Sequence, residues 1–157
     1  MARGRLSLSP PEGEPVLSIE LHTTASVIAI PTIRTVAADL AARADFDLDS
    51  IDDLRMAVDD ACAMLVRIAA PNATLSCSFT VQAERIELAA EVDADDSAGP
   101  LPTRSFGWRV LESLADDVSA GYLPGAPSPG APSPGAQGHG GKVRITLTKA
   151  AVTTPQT

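Results

Sequence analysis

This sequence is poor in aromatic residues, in cysteine and in long apolar runs. With one Trp, one Tyr and three Phe in 157 residues, its core must be built from aliphatic side chains. No apolar run approaches the roughly 20 residues that a membrane-spanning helix needs, and the polar stretch after Arg3 and Arg5 lacks the apolar region of a signal peptide. Cys62 and Cys77 are too few for a disulfide framework, and each is predicted to be a small buried hydrophobe. These absences predict a cytoplasmic protein.

The charge of the chain is strongly acidic, with a formal net charge of -8 and an isoelectric point of about 4.6. Such a surface repels phosphate backbones and so argues against direct nucleic-acid binding, whereas a basic protein surface suits it better. His22 and His139 lie far apart and lack nearby cysteine or acidic ligands at metal-site spacing, so no metal site is predicted. A length of 157 residues predicts one domain, and a hydrophobic fraction of 45% with a charged fraction of 20% is typical of the soluble globular class.

Hydrophobic periodicity predicts four strands and three helices. The strands are expected at 16–21, 73–81, 85–92 and 142–148, and the helices at 31–44, 51–68 and 105–118. Ser50 is the predicted N-cap of the second helix, because Asp53 follows it in a capping-box pattern. The order β-α-α-β-β-α-β, with a hairpin joining the middle strands, predicts an α+β fold. We expect a two-layer sandwich in which helices cover one face of a mixed, mostly antiparallel sheet.

Three segments are predicted to lie outside this core. Residues 1–14 and 151–157 are expected to be disordered tails, leaving a domain over 15–150. Within it, residues 124–141 contain the pentapeptide Ala-Pro-Ser-Pro-Gly twice, which predicts a flexible insert.

Three stretches of sequence resemble a known protein family. They are Ala57-Val58-Asp59-Asp60-Ala61-Cys62-Ala63-Met64, Ser105-Phe106-Gly107-Trp108-Arg109-Val110-Leu111 and Gly141-Lys142-Val143-Arg144-Ile145-Thr146-Leu147. In this order they resemble the signature helix, the second glycine box and the closing strand of bacterial anti-sigma factor kinases of the RsbW and SpoIIAB type. The chain is most similar to the actinobacterial branch, mycobacterial members included. The resemblance implies the histidine-kinase-like ATPase fold, also called the Bergerat-type fold.

The resemblance also assigns positions in a nucleotide site. Asp60 falls where the family has a catalytic Glu, and Met64 falls where an Asn ligates magnesium. Asp93 falls at the Asp that reads adenine, while Ser105 and Gly107 fall at the two glycines of the second box. For Asp60 and Asp93 the alternatives are, respectively, a solvated helix edge and a polar turn.

Several departures from the family pattern predict a degenerate site. A thioether such as that of Met64 is a poor ligand for Mg²⁺, which prefers oxygen. Asp95 and Ser97 replace the first pair of glycines, and the loop over 93–105 is short for a nucleotide lid. We therefore expect weak or absent kinase activity, with ATP and magnesium retained only as alternative cofactors.

The predicted partner surface is better preserved than the nucleotide site. Arg34 falls at the family's Arg that contacts both the sigma factor and the antagonist protein, although a solvated Arg on an amphipathic helix is the alternative. The acidic run over 45–53 could steer a basic partner or could stabilise a helix N-terminus.

Three functions remain in competition at this point. The first is an anti-sigma factor that sequesters an alternative sigma factor and is released by an anti-anti-sigma protein. The second is an active serine/threonine kinase that phosphorylates that antagonist through Asp60. The third is an ATPase-fold relic serving as a structural or dimerisation subunit. Homodimers are common in the family.

Overall fold

The computed structural model describes residues 17–123 and 141–152, which form five strands and three helices. The strands are β1 (Leu17–Thr24), β2 (Thr74–Gln82), β3 (Arg85–Asp93), β4 (Asp117–Leu123) and β5 (Lys142–Ala150). The helices are α1 (Ile30–Arg43), entered through a 3₁₀ turn at Val27–Ala29, α2 (Leu48–Ile68) and α3 (Phe106–Leu114). The predicted tail 1–14 and nearly all of the predicted insert and C-terminal tail lie outside the described residues.

The strands form one sheet in the order β1-β2-β3-β5-β4, and every described strand pair is antiparallel. The predicted hairpin is confirmed by β2 and β3, whose turn places Glu84 at a φ of 62°. Buried side chains alternate along both strands, so one face of the sheet is packed and the other is polar. Helix α2 lies against β3 and β5, while α1 contacts β2 and α3 contacts β4.

This architecture confirms the predicted α+β class with helices on one face, and it is consistent with a histidine-kinase-like ATPase fold. The expected mixed sheet was wrong in one respect, because every described strand pair is antiparallel. The core is aliphatic as expected, and the single Trp, Trp108, is buried within it. Both cysteines are buried, and a hydrogen bond with Cys77 together with burial raises the pKa of the Cys62 thiol.

The third predicted helix was too long, and the strand that follows it was missed. Helix α3 ends at Leu114, and β4 begins three residues later along the edge of β5. The Asp116 amide donates to the Thr148 carbonyl at 2.8 Å, and the Asp116 carboxylate accepts from the Ala150 amide at 2.6 Å. These cross-strand hydrogen bonds replace the next helical turn.

The predicted cap of α2 was also wrong. Asp47, and not Ser50, is the N-cap, because its carboxylate accepts a hydrogen bond from the Ser50 amide at 3.1 Å. Ser50 lies inside the first turn and is buried. The hydrogen bonds from Ser50 lower the pKa of Asp47, since they stabilise its charged form.

Candidate functional site

Asp60 and Met64 lie one turn apart on α2, and they therefore project from neighbouring positions on the helix. Met64 is only 6% exposed and belongs to the core, whereas Asp60 is half-buried. Burial raises the pKa of Asp60, and the adjacent Asp59 carboxylate raises it further, while Arg67 lowers it. A carboxylate with a raised pKa binds a proton more readily, as a general base requires, but burial and a neighbouring carboxylate raise a pKa in the same way on a helix without a catalytic role.

The start of α3 meets α2 at Met64. A Cβ atom added to Gly107 would lie 3.3 Å from the Met64 Cε and 3.8 Å from the Ser105 Oγ. Ser105 is the N-cap of α3, and its hydroxyl accepts from the Trp108 amide at 3.2 Å. The structure thus brings Met64, Ser105 and Gly107 together. The end of the Met64 side chain packs close to the position that a side-chain Cβ at residue 107 would occupy.

Asp93 lies on the other side of the sheet. It is directly opposite Lys142, with 3.5 Å between the Asp93 Oδ1 and the Lys142 Nζ. Residues opposite each other in an antiparallel pair share a face, and the neighbouring pair Val92–Val143 is buried against the helices. Asp93 consequently belongs to the polar face, and the structure does not bring it together with Met64.

The loop after β3 is fastened to the end of α2. The Asp95 amide donates to the Ile68 carbonyl at 2.7 Å, and Ala94 forms a bridge with Ala69. The Asp95 carboxylate accepts from both the amide and the hydroxyl of Ser97, at 2.9 and 2.7 Å, and these bonds lower the pKa of Asp95. The two residues that replace family glycines therefore bond to each other in a closed turn.

Arg34 lies on α1 and is tied to α2. Its Nη1 donates to the Asp59 Oδ2 at 2.8 Å, and the two side chains are 35% and 32% exposed. A shallow cavity of about 300 Å³ lies beside this ion pair. Its lining residues are Arg34, Asp52, Arg55, Met56 and Asp59. No sequence pattern pointed to Asp59 as the partner of Arg34, because the two residues are 25 positions apart and meet only when α1 packs on α2.

A second polar cluster, also missed from the sequence, lies on the open face of the sheet. His22 and Ser76 are paired at 3.0 Å on adjacent strands, and Glu91 accepts from Arg144 at 2.9 and 2.7 Å. All four line a cavity of about 320 Å³. Strand register alone aligns them, since each follows the next across β1, β2, β3 and β5.

Two classes of feature are absent from the residues that the structure describes. Within 17–123 and 141–152, no cluster of three or more His, Cys, Asp or Glu side chains could hold a metal ion. In the same ranges, no helix is both long and apolar enough to cross a bilayer.

Comparison with known proteins extends this description. The two-layer arrangement, with α2 and α3 meeting over an antiparallel sheet, defines a protein of α+β class and is consistent with a histidine-kinase-like ATPase fold. No protein-family model matches the chain. The anti-sigma-F factors RsbW of Mycobacterium tuberculosis strains CDC 1551 / Oshkosh and ATCC 25618 / H37Rv are each 36% identical to it over 105 residues. The match covers 66% of this chain and 61% of each relative. The chain is therefore similar to RsbW-type anti-sigma factors over the matched residues, and it spans less than two thirds of the length of these relatives.

Proposed function

We propose that this chain is an anti-sigma factor, which binds and sequesters an alternative sigma factor and is released by an anti-anti-sigma protein. The proposal is supported by the similarity to the two M. tuberculosis relatives, which are named anti-sigma-F factors. The observation that supports the degenerate nucleotide site is the packing of Met64 against Gly107, two positions that the family resemblance assigns to that site. Sequestration needs a complementary surface and no chemistry, so it is compatible with such a site.

The described residues do not fit a magnesium-ATP site. Met64 offers a thioether where a hard cation requires oxygen, and Asp93 pairs with Lys142 on the face of the sheet away from Met64. Asp95 would add negative charge close to a triphosphate. We therefore propose a degenerate nucleotide site and derive no step through ATP.

Arg34 is the proposed contact residue for the sigma factor. Its side chain is one-third exposed beside a cavity that also presents Met56, itself 53% exposed. A guanidinium and a neighbouring apolar side chain together suit the centre of a protein interface, where Arg and Met are enriched. We also propose that the acidic run over 45–53, which begins in the turn before α2 and continues into that helix, attracts basic surfaces of the same partner.

The direct test is a titration of the purified full chain with a panel of purified alternative sigma factors, combined with inhibition of sigma-dependent transcription in vitro. Arg34→Ala is expected to weaken binding by at least tenfold, as loss of a central interface Arg does. Arg43→Ala is the matched control, because Arg43 is also on α1 but pairs with Asp39 and is more exposed. If no sigma factor binds the wild-type chain, the proposal is wrong and the structural-subunit hypothesis gains.

An active kinase remains the second candidate function, and the raised pKa of the half-buried Asp60 favours it. The test is transfer of labelled γ-phosphate from magnesium-ATP to a purified anti-anti-sigma protein. We expect no transfer above background. Transfer that disappears in Asp60→Asn would replace the proposed function with the kinase. Sedimentation of the same preparation tests whether this chain forms a homodimer, as members of the family commonly do.

A further inference from the structure

The cavity between α1 and α2 holds two arginines that are already paired. Arg34 binds Asp59 at 2.8 Å, and the Arg55 Nη1 lies 3.5 Å from the Asp52 Oδ1. The pair made by Arg55 is the more exposed and the more loosely bound of the two. A partner that reaches this cavity therefore meets guanidinium groups whose charge is already balanced by carboxylates of the same chain.

Asp59 depends on Arg34 for its only described ion pair. Its second carboxylate oxygen, Oδ1, is buried and has no hydrogen-bond partner within residues 17–123 and 141–152. A carboxylate with one buried and unpaired oxygen is destabilised further when it also loses its counter-charge. Asp59 consequently disfavours the pairing of Arg34 with any other anion. The free energy needed to break the Arg34–Asp59 ion pair therefore reduces the affinity for a partner that binds Arg34.

We propose that Asp59 competes with the sigma factor for Arg34, and that the competing group on the sigma factor is a carboxylate next to an apolar side chain. This inference rests on the proposed function. The carboxylate would pair with the guanidinium of Arg34, and the apolar side chain would cover the exposed Met56. Asp59 is therefore a residue that sets partner affinity without being required for contact.

The test compares Asp59→Asn with the wild type in a titration with purified sigma factors, including the M. tuberculosis sigma-F factor as a fixed probe. Asn keeps an oxygen that can hold Arg34 in place but removes the competing charge. We expect the dissociation constant to fall about two- to fivefold, as the typical strength of a partly exposed ion pair implies. Asp39→Asn is the matched control, since Asp39 also pairs with an arginine of α1, Arg43, at 2.8 Å but does not line this cavity, and it is expected to leave the affinity unchanged.

A second comparison makes the mechanism specific to Arg34. In an Arg34→Ala background, Asp59→Asn should give no gain in affinity, because the residue for which it competes is gone. Thermal unfolding of each variant checks that it is folded, and Asp59→Ser replaces Asp59→Asn if the latter is not.

The outcomes separate this inference from the proposed function. Unchanged or weaker binding by Asp59→Asn, with Arg34→Ala still impaired, overturns the competition and leaves the anti-sigma function intact. Unchanged binding by Arg34→Ala removes both the contact and the competition, although sequestration itself survives. Absence of binding by the wild type refutes the proposed function, and this inference falls with it.

Discussion

Replacing Gly107 by Ala tests whether Met64 really fills the space beside the start of α3. The new Cβ would lie 3.3 Å from the Met64 Cε, which is tighter than nine in ten real contacts of this kind. The nearest atom is the end of a flexible side chain, so it can move by a few tenths of an ångström at some cost. Gly107 does not have a positive φ, so the backbone accepts Ala without strain.

Two opposing effects decide the size of this change. Ala is favoured over Gly in a helix by about 0.5–1 kcal/mol, and we take about 0.5 kcal/mol because Gly107 is in the first turn. Overpacking a closed site costs about 1 kcal/mol at the low end of its range. Gly107→Ala should therefore lower the free energy of unfolding by about 0.5 kcal/mol in the wild-type background.

The same substitution should have the opposite sign when Met64 is absent. In a Met64→Ala background the clash is removed, and Gly107→Ala should stabilise the protein by about 0.5 kcal/mol. The difference between the two backgrounds is a coupling free energy of about 1 kcal/mol, obtained from chemical denaturation of the four proteins. Strictly additive effects would refute the contact between Met64 and Gly107, and with it the observation that carries the degenerate site.

Three further predictions follow from the same structure. Met64→Asn restores the magnesium-ligating residue type but leaves Asp93 on the open face, so we expect magnesium-ATP not to change the melting temperature of this variant. Bound ATP at 100 times its dissociation constant would stabilise the folded state by about 2.7 kcal/mol. A shift of that size would contradict our placement of Asp93. The raised pKa of Asp60 means that its negative charge opposes folding above that pKa, so Asp60→Asn should raise the melting temperature at pH 7. This gain should vanish below pH 3.8, because the wild-type carboxyl is then neutral as well. The lowered pKa of Asp47 means that its charge supports folding above pH 3.8, so Asp47→Ala should lower the melting temperature at pH 7, and by more than Ser50→Ala does. This loss should shrink as acid neutralises the wild-type carboxylate. An equal loss at pH 3 and pH 7 would show that the capping charge is not responsible.

The hairpin, the aliphatic core and the α+β class could be predicted because each follows from local periodicity. Alternating apolar residues in β2 and β3 specify one buried face, whatever packs against it. The boundary errors have equally local causes. Asp47 and Ser50 are both good capping residues three positions apart, and sequence alone gave no reason to choose the first.

The candidate site was harder to predict, because its residues are related by packing and not by spacing. Resemblance to a family placed Asp93 beside the nucleotide, but the alternation of β3 turns its side chain to the polar face together with Glu91. That signal was present in the sequence, since Val92 continues the apolar phase and Asp93 does not. The contact between Met64 and Gly107 had no such signal, since it joins two helices.

The sequence by itself determined the first two helices, four of the five strands and the faces they bury, and it showed that a thioether stands where an oxygen ligand would be needed for magnesium. These properties depend on residue type and on periods of two or 3.6 residues. Only the tertiary structure decided that Arg34 is held by Asp59, that Met64 covers Gly107, and that Asp93 and Met64 lie on different sides of the sheet. Each of these relations joins residues distant in the chain, and an ion pair or a side-chain contact acts only over the few ångströms that folding brings about.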